Sequence, residues 1–201
     1  EYKVPHFYMP NLEEVTDFSD LVKKIGKDNA FIEFNKLIAT LPNNGSYHFY
    51  AGENYFEKGE QDSALAEWNK AFTVEPTAPI SIVSSGKAAW VSGDQAKAKI
   101  LFAQALKASK NKNAEIMRCI AETYITSEKK DLDEAIRILT IATKIDAKNE
   151  DGHLLMGDAL NLKTPENAST AIKSYNMVLT INPKSPRGIV RTAKIYQRAK
   201  N

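Results

Sequence analysis

The stretch Tyr47-His48-Phe49-Tyr50-Ala51-Gly52-Glu53-Asn54-Tyr55-Phe56, followed by Ala64, Trp68, Ala71 and Pro76, decides how this chain is read. Its landmarks recur. The steps from Gly52 to Gly86, Ala64 to Ala98, Trp68 to Phe102 and Ala71 to Ala105 are each 34 residues. A fixed period of this size marks a stacked repeat. Backward by one period lie Ala30, Phe34, Leu37 and Pro42. Forward lie Ala121, Tyr124, Ala135, Leu139 and Ala142, then Gly157, Leu160, Ala171, Tyr175, Val178 and Pro183. The turns at Ser127–Asp133 and around Thr164-Pro165 are each two residues longer than their counterparts. Units therefore start near Asn11, Gly45, Pro79, Ala114, Glu150 and Pro186. The last is a half-unit with Ala193 and Tyr196, and a leader, residues 1–10, precedes the array.

Each unit reads as a pair of helices. In the second, apolar residues recur at helical spacing over Ser46–Lys58, and Gly59-Glu60-Gln61-Asp62 reads as a turn. Asp62 or Ser63 is expected to cap a second helix, Ser63–Val74, which Pro76 ends. Small residues hold the eighth place (Gly52, Gly86, Ala121, Gly157, Ala193) and the twentieth (Ala30, Ala64, Ala98, Ala135, Ala171). Small side chains at facing places let two helices approach to roughly 8–10 Å. The aromatic or Leu at the twenty-fourth place fills the space between hairpins. One hairpin cannot bury its apolar face alone, so the units must stack.

On Gly52, Tyr55, Ala64, Trp68, Ala71 and Pro76 in the best copy, the chain resembles the tetratricopeptide repeat (TPR) family from Asn11 to Asn201. The resemblance implies an all-α, right-handed solenoid of stacked antiparallel helix pairs, five units plus a half-unit, with units near 11–44, 45–78, 79–113, 114–149, 150–185 and 186–201. The first unit departs most, with Phe18 where Gly or Ala is expected. The resemblance also implies a concave groove lined by the second, fifth, ninth, twelfth and thirteenth places of each first helix. Carried over, the partner-binding residues are Phe49, Glu53 and Phe56, then Val83, Lys87 and Trp90, then Arg118 and Glu122. Phe49, Phe56, Val83, Trp90 and Ile125 would supply apolar anchors, or pack against neighbouring units. Glu53, Glu57, Glu122 and Asp158 would favour a ligand with Lys or Arg between its apolar groups. Members that clamp the C-terminal carboxylates of chaperones present cations or amides at the fifth and ninth places. Two acids stand here, at Glu53 and Glu122, which disfavours that mode.

The function this implies is a noncatalytic adaptor that binds an extended or helical segment of a partner protein. A structural, self-associating module within a longer array is the alternative. Lys184, Arg187, Arg191, Lys194, Arg198 and Lys200 occur with no acid after Asn182, whereas Glu13, Glu14, Asp17 and Asp20 lie near the start. Opposite charge at the two poles could assist head-to-tail contact, or anion and nucleic-acid binding by the last helix, the weakest of the readings. Ile189, Val190, Ile195 and Tyr196 suggest a face made to be covered, so the natural chain is expected to continue past Asn201. Glu1, in place of an initiator Met, implies a processed or excised form. The leader, with Pro5, Pro10, Tyr2, Phe7, Tyr8 and Met9, is expected to cap the first hairpin or to lie in a groove.

Composition bounds the rest. At 43% apolar and 26% charged residues the chain has the makeup of a globular protein, and no apolar run reaches membrane-spanning length. A net charge of +2 favours neither bulk nucleic-acid binding nor membrane attraction. The single cysteine, Cys119, excludes an internal disulfide and is expected in a packed helix. His48 and His153 share the fourth place and read as packing residues; His6 is in the leader, and the three are not spaced for one metal. Ser84-Ser85-Gly86-Lys87 lacks the first glycine of a phosphate loop and falls mid-helix. Asn44-Gly45-Ser46 and Asn167-Ala168-Ser169 have the form of glycosylation triplets and read as coincidence. No cofactor, metal, small-molecule substrate or catalytic residue is expected. The compartment stays open between a processed bacterial envelope protein and a cytoplasmic one.

Overall fold

The computed structural model describes residues 29, 32, 33, 36, 39–164 and 168–200. The leader, and with it the expected cap, lies outside the described residues, as does most of the first unit. Every described element is helical: α1 (Gly45–Glu57), α2 (Gln61–Val74), α3 (Pro79–Val91), α4 (Gln95–Ala108), α5 (Ala114–Thr126), α6 (Leu132–Ile145), α7 (Glu150–Lys163), α8 (Ala168–Ile181) and α9 (Pro186–Lys200). The chain divides into two compact units, Glu1–Ala88 and Ala89–Asn201.

The helix starts are written in short polar side chains. Asn44 caps α1 by accepting from Tyr47 N–H (3.1 Å), and Asn113 caps α5 through Glu115 and Ile116 (3.0 and 3.1 Å). Asn149 caps α7 through Gly152 (2.7 Å), and Ser185 Oγ accepts from Gly188 N–H (3.1 Å) at the start of α9. Asp94 and Asp131 do the same for α4 and α6. Each satisfies an amide that the first helical turn leaves without a partner. The exception corrects the expected cap at Asp62 or Ser63. Helix α2 begins at Gln61 after Glu60, with no side-chain cap, and Asp62 lies in its first turn. Gly59 takes φ +79 and Glu60 N–H returns to Tyr55 C=O (2.9 Å), which puts Glu60 at the N-cap; the equivalent Asp94 caps α4 with its short carboxylate, whereas the longer Glu60 side chain makes no such bond. Gly93 repeats this with φ +93; Lys110 and Asn111 reach the same left-handed region at φ 55 and 53 without glycine.

In the first unit, α1 and α2 pack as a hairpin around Trp68. A Cβ on Gly52 would lie 2.3 Å from that indole, so only glycine admits the approach. Ala64 and Ala71, one turn to either side, are fully buried against the same seam. Gly45 is held as tightly. Its N–H donates to Glu75 Oε2 at 2.7 Å, and a Cβ there would meet Ser81 Oγ. In the second unit, α5 packs on α6, α6 on α7, α7 on α8 and α8 on α9. Ile120, Leu139, Tyr175 and Val178 form its interior, with Gly157 against the Tyr175 ring at 2.3 Å to a built Cβ.

Helix α3 departs from the amphipathic pattern. Every residue from Ile80 to Trp90 is buried, Lys87 among them. With apolar or small residues on all its sides, the helix has no face suited to water.

Candidate partner-binding surface

The expected groove residues separate by burial into two kinds. Phe49, Val83 and Trp90 are interior, the most exposed of them Trp90 at 4%. Trp90 donates its indole N–H to Lys129 C=O (3.0 Å) and meets Tyr124 edge-on at 4.7 Å between centroids. Phe102 closes that aromatic group, 5.4 Å from Tyr124. Ile125 is buried as well. These four side chains are buried and pack in the interior, the second of the two roles read for them. On α3, Val83, Lys87 and Trp90 are all buried.

The second kind, Glu53, Phe56, Arg118 and Glu122, is partly exposed, and the buried Lys87 is paired with it. In the first unit, Lys87 sits inside with its ammonium 2.5 Å from Glu53 Oε2 and 5.1 Å from the centre of the Trp68 ring. The carboxylate and the ring face together offset the cost of removing a cation from water. Phe56, half-buried, leans on Trp68 with ring centres 5.3 Å apart. In the second unit, Arg118 makes a bidentate pair with Glu115 (2.9 and 2.6 Å) and a further bond to Glu122 (2.9 Å). Two carboxylates, each about a third exposed, fix one guanidinium that is itself mostly buried on α5.

Asp158, Arg187, Arg191 and Arg198, read from the sequence as charges toward a partner, extend this polar order within the chain. Asp158 on α7 receives both Nε and Nη2 of Arg191 (2.6 and 2.8 Å) and the Tyr175 hydroxyl (2.8 Å). Arg187 pairs with Asp151 and Arg198 with Asn161, also between α9 and α7. Glu150 accepts from Ser185 Oγ (2.5 Å) and Asn182 (3.0 Å). Lys99 reaches Asp131 at 2.8 Å. The legible signal was spacing. Opposite charges stand about one period apart, as in Glu53 and Lys87, 34 residues, or Asp158 and Arg191, 33.

Burial raises the ionisation of Tyr124 and Tyr175 well above the ordinary phenol range, and donation to Asp158 raises Tyr175 further. Burial would also raise the Asp131 carboxyl, but Lys99 and the Glu134 N–H outweigh it and hold it low. Arg137 holds Glu134 low in the same way.

The remaining candidates are structural. His48 is fully buried, with Nδ1 2.6 Å from Glu67 Oε2 and Nε2 2.8 Å from Pro42 O. Cys119 is buried in α5, and the Ser84–Lys87 run is mid-helix. Asn44 uses its side-chain oxygen as a cap, and Ser46 is buried. Among the described residues no three His, Cys, Asp or Glu converge as a metal site. No described helix is long and apolar enough to cross a membrane.

No protein-family model matches the chain, and no curated protein matches it in sequence. Solved structures do. Yeast Tom70 superposes with a TM-score of 0.63 at 18% identity, covering 94% of this chain and 43% of that one. Pseudomonas aeruginosa pilF gives 0.57 at 18% identity over 78% of this chain and 69% of its own. A structure of the human IFIT1 dimer with m7Gppp-AAAA gives 0.67, again at 18%, over 96% and 47%. The fold is that of the tetratricopeptide repeat. In TPR terms, the fifth places Phe49 and Val83 and the twelfth places Trp90 and Ile125 are core here. Glu53, Phe56, Arg118 and Glu122 keep partial exposure at the ninth, twelfth, fifth and ninth places. The chain spans less than half the length of Tom70 and of IFIT1.

Proposed function

We propose that this chain is a noncatalytic TPR scaffold that binds a segment of a partner protein through the open sides of its first helices. The observation that carries the reading is the pre-ordered charge there. Arg118 is clamped by Glu115 and Glu122 in one unit, and in the other the partly exposed Glu53 is anchored by the buried Lys87. Charged groups already fixed in place lose little freedom on binding, which is how a preformed surface reaches useful affinity. The partner segment carries Lys or Arg to exchange with the acids, and apolar groups that reach Phe56. Phe49, Val83, Lys87 and Trp90 support the surface from beneath and set its shape. An anion-binding role for the basic last helix gains no support from Arg187, Arg191 and Arg198, which are already engaged by α7.

A peptide-display selection against the full chain tests this. Selected peptides should be rich in Lys or Arg flanked by apolar residues. They should bind Arg118→Glu and Phe56→Ser variants at least tenfold more weakly, with unchanged helical circular dichroism. Peptides that bind both variants as tightly as the parent place the working surface elsewhere.

A further inference from the structure

The outer sides of α6 and α8 carry exposed apolar residues that packing within the chain does not account for. Ile141 and Ile145 on α6 are 39% and 44% exposed, and Met177 on α8 is 43%. Neither helix is at an end of the stack: α6 packs on α5 and α7, and α8 on α7 and α9. Their buried sides are the opposite ones, with Ala135, Leu139 and Ala142 on α6 and Ala171, Tyr175 and Val178 on α8.

The two outer sides match. Arg137, Ile141, Ile145 and Lys148 recur 36 residues later as Lys173, Met177, Ile181 and Lys184. Steps of four and three residues keep each set on one side of its helix, and equal places of stacked repeats share one side of the stack. The repeat itself does not ask for apolar residues there, since the place of Ile141 and Met177 holds Lys70 on α2 and Gln104 on α4. The cations around them are uncommitted. Lys144, Lys148, Lys173 and Lys184 are exposed, and among the described residues their ammonium groups have no hydrogen-bond or ion-pair partner. Arg137 alone of the set is taken, by Glu134. The acids nearby are engaged too. Asp146 accepts from Lys148 N–H and the Asn149 side-chain amide (3.2 and 3.3 Å), and Asp133, at the start of α6, pairs with Lys163.

Composition selects the occupant. Protein interfaces are enriched in aromatic residues and Arg and depleted in Lys. Here four lysines surround two isoleucines and a methionine, with no exposed ring among them. Lysine stems lie along apolar surface while the ammonium stays in water, which suits a charged headgroup layer above a hydrocarbon edge. A net charge of +2 is too small to draw the whole chain to a membrane, so the attraction is local.

We propose that the outer sides of α6 and α8 dock the chain peripherally on a bilayer rich in anionic lipid. Ile141, Ile145 and Met177 enter the interface, and the four lysines face the headgroups.

Flotation of the full chain with phosphatidylcholine vesicles containing about 30% phosphatidylserine tests this. Binding should be saturable in lipid, absent on pure phosphatidylcholine and weakened by salt. Each lysine is worth about fivefold near such a surface, so Lys148→Glu/Lys184→Glu should weaken binding at least tenfold. Ile141→Ser/Met177→Ser should weaken it about fivefold or more. Both variants change only exposed positions and should keep the parent's circular dichroism. No flotation at millimolar lipid overturns the proposal. So does binding indifferent to Ile141→Ser/Met177→Ser, which would mean that charge acts alone, or displacement by inorganic phosphate at matched ionic strength. Displacement by polyglutamate at matched ionic strength overturns it as well, and assigns the patch to an acidic protein.

Discussion

At the residue scale the eighth-place glycines carry the tightest constraint. Trp68 and Tyr175 are buried rings with no room to retreat, and a methyl at Gly52 or Gly157 would sit 2.3 Å from each. Alanine gains about 1 kcal/mol of helix propensity over glycine, whereas overpacking a filled core costs typically 1–3 kcal/mol. A contact this short belongs at the upper end of that range, so the clash wins. Gly52→Ala is expected to destabilise by about 2 kcal/mol in urea melts, and Gly157→Ala by a similar amount. A stabilised Gly52→Ala would show that the indole can move. These seams were legible in the sequence because a small residue opposite a large one, repeated at one period, marks where two helices approach closely. The partner surface was less legible. Placing Val83, Lys87 and Trp90 on an open side followed the register of the repeat. Yet Pro79–Val91 holds only one charged residue, and a helix of that makeup is buried on all sides.

At the element scale the caps decide where helices begin. Asp131 combines two roles, accepting from Glu134 N–H at 3.2 Å and from Lys99 at 2.8 Å. Loss of an N-cap costs about 1 kcal/mol, while an exposed ion pair contributes between about 0 and 1 kcal/mol. Asp131→Ala should therefore cost more than Lys99→Ala, and Asp131→Asn should recover most of the difference. Equal urea midpoints for Asp131→Ala and Lys99→Ala would mean that the ion pair, not the cap, holds the start of α6. The start of α2 differs from the expected one because Glu60, not Asp62 or Ser63, holds the N-cap position after the left-handed Gly59, and its side chain makes no cap bond.

For the whole molecule, the shifted groups bound the pH range of stability. Asp131 and Glu134 have folded-state values below their unfolded ones, so their stabilisation is present above about pH 4 and is lost as pH falls through the folded values. Tyr124 and Tyr175 are raised by burial. Their contribution is complete below about pH 10 and declines above it, where the unfolded phenols ionise and the folded ones resist. Urea midpoints should be level between these limits and fall at both ends. The double variant Tyr124→Phe/Tyr175→Phe should have a shallower alkaline fall; an unchanged fall would assign it to other groups.

The contact between Gly45 and Glu75 also governs how the protein ages. Asn followed by Gly is the dipeptide most prone to deamidation, because an unhindered glycine nitrogen can attack the asparagine side chain and close a succinimide. At Asn44-Gly45 that nitrogen is bound to Glu75 Oε2, and the Asn44 side chain is occupied in capping α1. The folded chain thus shields its most fragile covalent link. Glu75→Ala is expected to speed the one-dalton mass gain at Asn44 during prolonged incubation, measured by peptide mass spectrometry. Urea should speed it further in both chains, since unfolding frees the same nitrogen.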